Sequence, residues 1–190
     1  MVRATRSCHA AGREQALRVA DRLRSHPIGA VYVSKLRRTA ETAAPLCGHL
    51  GLEPRLDPDL HEVHLGEWEG GLFRIRAHEQ HPDYLRMQQE ERWDLIPGGE
   101  SPEALDERLG RAVRRIAASH PDELVAAFVH GGVIAHILHM ATGSRRFAFT
   151  GAENGSINHI VVHEGQIRVR RFNDTTHLDE MIAAGSGQMT

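Results

Sequence analysis

The chain carries 14 histidines among 190 residues. Histidine titrates near neutral pH and serves acid–base, nucleophilic and metal chemistry. Most of the 14 read as surface residues, but three segments combine histidine, arginine or carboxylate with a setting that suits an anion. In LVAAFVHGGVIAHILHM, residues 124–140, an apolar run ends at His130, two glycines follow and a helical pattern opens. In an open α/β sheet, ligands bind beyond the carboxyl ends of the strands. A helix N-terminus there offers free N–H groups and a partial positive charge, a fit for phosphate, and glycines let the backbone come close. His130 is thus a candidate anion ligand, with a structural role at the strand end as the alternative. In YVSKLRRTAETA, residues 32–43, Arg37 and Arg38 fall in the first turn of a helix. Basic residues there oppose the helix dipole at a cost of about a few tenths of a kcal/mol. Arg37 reads as solvated, whereas for Arg38 anion binding and solvation stand level. LHEVHLGEWEG, residues 60–70, holds three carboxylates, and a glutamate held near a phosphate site could protonate a leaving alkoxide oxygen. The run His61-Glu62-Val63-His64 lacks the His-Glu-x-x-His spacing of a zinc helix, so no metal is implied.

The elements that must hold these residues alternate along the chain. Apolar spacing predicts helices over 12–25, 36–50, 101–119 and 131–141, and short apolar runs predict strands over 28–33 and 124–129. Residues 157–163 and 167–172 read as a hairpin around Glu164-Gly165, residues 66–92 as mixed and later helical, and residues 183–190 as a loose tail. The pattern is α/β, with a mostly parallel sheet and helices on both faces. The length suits one domain over residues 1–190. A net charge of −2 argues against nucleic acid as a partner. No apolar run reaches membrane-span length, and no apolar leader opens the chain, so the expected home is cytoplasmic. Cys8 and Cys47 make neither a disulfide framework nor a zinc site.

Taken in order, these pieces resemble the histidine phosphatase superfamily, the phosphoglycerate-mutase-like enzymes. AAGREQALRVADRL is similar to the family's first helix, and VYVSKLRRTAETA to its Ser-x-Leu-x-Arg-Ala-x-x-Thr-Ala element. LHEVHLGEWEG resembles Leu-x-Glu-x-x-x-Gly-x-Trp-Glu-Gly, FVHGGVI the second catalytic histidine motif, and NGSI with NDTTHL the C-terminal strands. PGGES stands where the family often has it, and the likeness runs from about Ala11 to Leu178. It implies a single-domain three-layer sandwich and a phosphomonoesterase acting on small phosphorylated metabolites without cofactor or metal. It also implies roles: Arg38 as phosphate-binding arginine, Glu62 as the acid that protonates the leaving group, and His130 as the second pocket histidine, which stabilises the transferring phosphoryl group.

The family's nucleophile is a different histidine, set in an Arg-His-Gly motif at the end of the first strand and phosphorylated in turnover. No Arg-His-Gly occurs in these 190 residues. Too few residues precede Gly12 for that strand and its loop, so the first central strand is expected to be missing and hydrolysis impaired. Either the native chain starts upstream, or the motif is lost, with Met1-Val2-Arg3-Ala4 its remnant and Ala4 at the nucleophile's place. His9 and Cys8 are poor substitutes. A missing central strand would leave open edges, which predicts lower stability than an extended chain and favours a homodimer. Lys35 and Ala135 depart from the family's common Asp and Arg. Arg74, Arg76 and Arg86 lie in the stretch where the family builds a pocket lid, and read as a solvated face before a substrate contact. Trp68 and Trp93 read as packing, and His136 and His139 as ordinary helix residues. The expected partner is a small phosphorylated metabolite or inorganic phosphate. Beside the phosphatase stand a non-catalytic phospho-ligand binder and, third, a phosphomutase, for whose extra loops the length leaves little room.

Overall fold

The run LVAAFV forms β4, Leu124–Val129, with Phe128 and Val129 fully buried. A strand buried on both faces has no polar side to present, so its neighbours must be strands and both faces must carry helices. In the computed structural model, which describes residues 1–3 and 10–179, that is the arrangement found. Strand β1 is Val2–Arg3, β2 Ile28–Val33, β3 Arg55–Leu56, β5 Ile157–His163 and β6 Gln166–Asp174. They form one sheet in the order β3-β2-β4-β1-β5-β6. Pairing is parallel from β3 to β1, and antiparallel from β1 through β5 to β6.

Helices α1 (Ala10–Leu23) and α2 (Arg37–Leu50) cover one face. Val19, Ala20, Ala43 and Leu46 pack there against Val31, Val33 and Phe128. Helices α5 (Pro102–Ser119) and α6 (Gly131–Thr142) cover the other, where Leu105, Leu109, Ile134 and Leu138 pack with Val129. The three-layer α/β sandwich is therefore as expected. Helix α1 begins and ends two residues before the predicted span. Residues 66–95 fold as two short helices, α3 (Leu72–His78) and α4 (Pro82–Glu90), with 3-10 turns on either side. They close over a small aromatic cluster in which Trp68 packs with Phe73, and Trp93 stacks on Phe147 at 4.6 Å. Both tryptophans are packing residues. Among the described residues no helix is long and apolar enough to cross a membrane.

The expectation of a missing first central strand is corrected. Val2 and Arg3 fill that slot, registered with Phe128 and Val129 on one side, and Val2 with Ile157 on the other. The gap between β4 and β5 would otherwise leave backbone groups unpaired, and Val2, 2% exposed, fills the apolar interior there. The Met1 α-amino group donates to the Asn158 carbonyl at 2.5 Å, and Asn158 N donates back to the Met1 carbonyl at 2.7 Å. Burial pushes that amine from 8.0 down to about 5. Ala4, Cys8, His9 and the tail at 183–190 lie outside the described residues.

Candidate functional site

Strands β2 and β4 lie side by side and parallel, so their carboxyl ends open at the same edge. Ser34 follows β2 and His130 follows β4. His130 is the N-cap residue of α6, with extended backbone (φ −126, ψ 163), and its side chain makes no cap hydrogen bond. The ring turns across to β2 instead. Its Nε2 lies 2.7 Å from Ser34 Oγ, with both residues 2% exposed. Arg38, in the first turn of α2, donates from Nε to His130 Nδ1 at 3.3 Å.

Glu62 comes from the loop after β3. Its Oε1 accepts the Val63 N–H at 3.0 Å and stands over Gly132. A Cβ on Gly132 would sit 2.7 Å from Glu62 Oε1 and 2.6 Å from Val63 Cγ2. The second glycine of the pair is thus what lets this carboxylate reach the α6 N-terminus. The fold brings Arg38, Glu62 and His130 together at one helix N-terminus, and Arg37, by contrast, pairs outward with Glu41 at 2.6 Å.

The loop bearing Glu62 is clamped from behind. Arg108 Nη1 donates to the carbonyls of Asp59 (2.6 Å) and His61 (3.0 Å), and its Nε and Nη2 reach both oxygens of Glu100 at 2.8 and 2.7 Å. Glu100 accepts the His64 N–H at 3.2 Å and donates its own N–H to the His64 carbonyl at 2.9 Å. Burial works against the Glu100 charge, but hydrogen bonds and charge from Arg108 more than offset it and hold the carboxyl below its ordinary value. Residues 59, 61 and 64 are all pinned, and Glu62 lies between them.

Sequence reasoning missed four members of this assembly: Ser34, Thr39, Glu100 and Arg108. Arg108 had a readable signal, because it interrupts the apolar stripe of Leu105, Leu109 and Ala112 on α5. Ser34 opens the Ser-x-Leu-x-Arg element, which named no role for it, and Thr39, whose Oγ1 lies 3.3 Å from Ser34 Oγ, had no signal, as small hydroxyl residues near a strand end are common. His136, read as an ordinary helix residue, is buried and lies 2.6 Å from Asp106; burial lowers its pKa despite that carboxylate. His139 donates to the Ser144 carbonyl at 2.6 Å. Arg76 and Arg86 pair locally with Glu79 and Glu90. Among the described residues no three His, Cys, Asp or Glu side chains are grouped to hold a metal ion.

Known proteins share this architecture. Residues 9–175 match the histidine phosphatase superfamily, branch 1. The chain is 36% identical over 175 residues to phosphoglycerate mutase-like protein 4 of Arabidopsis thaliana, covering 90% of this chain and 75% of that protein. It is 29% identical over 175 residues to metal-independent phosphoserine phosphatase of the same plant, covering 90% and 72%. It superposes on a mycobacterial glucosyl-3-phosphoglycerate phosphatase in complex with inorganic phosphate at TM-score 0.75, with 28% identity and coverage of 89% and 88%. With the match spanning most of its length and the sheet order, helix layers and strand-end residues described above, the chain belongs to the histidine phosphatase superfamily.

Proposed function

We propose that this protein is of the phosphomonoesterase type, with a phosphoryl site for small phosphorylated metabolites formed by Arg38, Glu62 and His130. The observation that carries the reading is the contact of Arg38 with His130 at the α6 N-terminus. The guanidinium offers a planar fork for phosphate oxygens. The free N–H groups of α6 add donors and positive potential. Glu62, beside Gly132, is in place to protonate a leaving alkoxide. The phosphatase names among the relatives, and the phosphate complex of one of them, support this choice of ligand.

The mechanism by phosphohistidine requires a nucleophilic histidine, and no Arg-His-Gly occurs in the sequence. Hydrolysis by this 190-residue chain is therefore expected to be impaired while phosphate binding persists. One observation favours a second reading, a non-catalytic phospho-ligand binder. Arg3 is registered with Val129, the residue before His130, and the residue after Arg3 in the sequence is Ala4. On this reading Arg38, Glu62 and His130 stand without the motif's histidine, and the pocket binds without turning over.

Turnover of p-nitrophenyl phosphate tests the reading. The expected result is little or no release of p-nitrophenol by this 190-residue chain, unchanged by EDTA. Robust turnover through an acid-labile phosphoenzyme would show that a histidine here still serves as nucleophile. Robust turnover abolished by EDTA would overturn the metal-free mechanism itself.

A further inference from the structure

The hydroxyl network under His130 balances donor against acceptor. A guanidinium only donates, so Arg38 Nε–H pointing at His130 Nδ1 at 3.3 Å makes Nδ1 the acceptor. A neutral imidazole with Nδ1 accepting carries its proton on Nε2, and that proton faces Ser34 Oγ at 2.7 Å. Ser34 Oγ also accepts the Leu36 N–H at 3.1 Å, which fills both of its lone pairs. Its own proton then has one place to go, Thr39 Oγ1 at 3.3 Å. Thr39 Oγ1 accepts the Ser34 N–H at 3.1 Å and passes its own proton to the Leu36 carbonyl at 2.8 Å. Ser34 and Thr39 are 2% and 0% exposed, so water does not compete for these bonds.

An anionic oxygen seated between Arg38 and His130 needs a donor from each. Arg38 already offers one, whereas Nδ1 must gain a proton. The Ser34 hydroxyl can supply the complementary change by rotation. Turned from Thr39 toward Nε2, it donates where it had accepted; with the Nε2 proton released to solvent and one taken up from solvent at Nδ1, so that the ring stays neutral and no net proton is bound, His130 becomes the Nδ1–H tautomer. Thr39 Oγ1 keeps the Ser34 N–H as donor, so no buried group is stranded. We propose that Ser34, backed by Thr39, is a positioning residue that sets the tautomer of His130, Nε2–H with Arg38 on the ring and Nδ1–H with a phosphoryl oxygen between them. The inference rests on the phosphate-site reading above, but its first half concerns the protein without ligand.

The test is nitrogen-15 NMR of histidine-labelled protein, with His130 assigned by the signals lost in His130→Asn. In phosphate-free buffer His130 is expected as the Nε2–H tautomer, and inorganic phosphate should move the proton to Nδ1. Thr39→Val removes the alternative acceptor, so His130 should shift toward Nδ1–H with no phosphate present, which loss of packing alone would not produce. Ser34→Ala should average the tautomers and weaken phosphate binding about 10-fold, the weight of one hydrogen bond. A wild-type ring that is Nδ1–H or averaged without phosphate overturns the proposal, and that measurement needs no variant of the network to fold. So does a doubly protonated ring with phosphate bound. If phosphate fails to bind while the Nε2–H form holds and depends on Ser34, the pocket reading fails and the positioning role stands.

Discussion

Gly132 decides where Glu62 can be. A methyl group there would meet the Val63 side chain at 2.6 Å and Glu62 Oε1 at 2.7 Å. Val63 is buried and cannot swing aside, although the carboxylate can. Gly132→Ala should therefore lower stability by about 1–3 kcal/mol, the range for overpacking, despite the gain in helix propensity of up to about 1 kcal/mol. Urea denaturation checks this, and a variant as stable as the parent would show that the loop carrying Glu62 yields freely. Arg38, Glu62 and His130 were singled out by the resemblance, while local reasons raised each position as a question without settling it. An arginine against a helix dipole, a histidine at a strand end before glycines and a carboxylate in a glycine-flanked loop each invite a question. Ser34 and Thr39 were not legible, since their meaning arises only when β2 and β4 lie side by side and bring residues 34 and 130 together.

Between the elements, the strongest dependence is of the Glu62 loop on α5. Arg108 and Glu100 are almost fully buried as a pair, and Arg108 also satisfies two loop carbonyls. Removing one partner of such a pair leaves an uncompensated buried charge, at about 3–5 kcal/mol. Arg108→Ala should cost that much in equilibrium unfolding and loosen residues 59–64 to hydrogen exchange; a loss under about 1 kcal/mol would mean that the loop has other anchors. Helices α5 and α6 and strands β2 and β4 were readable because each has a long enough apolar period. The segment over 66–95 was not. Gly70 and Gly71 take left-handed backbone, with φ +68 and +108, just before α3, and Gln80 at φ +51 ahead of Pro82 parts α3 from α4, leaving pieces of seven and nine helical residues, too short for a period to show. Strand β1 escaped for the same reason, since two residues carry no alternation.

For the molecule entire, the core layers follow from composition and order, and its pH response follows from what the layers bury. The Met1 amine is buried in the sheet and held at about 5, below its ordinary 8.0. An amine depressed on folding contributes stability that is present above its unfolded pKa and lost as pH falls through the folded value. Stability should thus rise from pH 5 to pH 8, by up to about 4 kcal/mol for this group. Burial also holds His136, His159 and His177 below the ordinary histidine range, which acts in the same direction. Urea midpoints measured across that interval check the sign, and acetylation of the amine should flatten the upper part of the curve. A profile that falls with pH would contradict the burial of Met1. The sequence had no means of showing this, because it depends on Met1 lying against Asn158, a residue 157 positions away.

Whether Arg38 and His130 form a phosphate site is open to direct measurement. The measurement is calorimetric titration of inorganic phosphate into the protein and into Arg38→Ala, without added metal. Saturable binding to the parent chain, weakened about 10- to 100-fold by the loss of Arg38, is the predicted result, as expected for charge-assisted hydrogen bonds. No binding to the parent, or binding indifferent to Arg38, would contradict it.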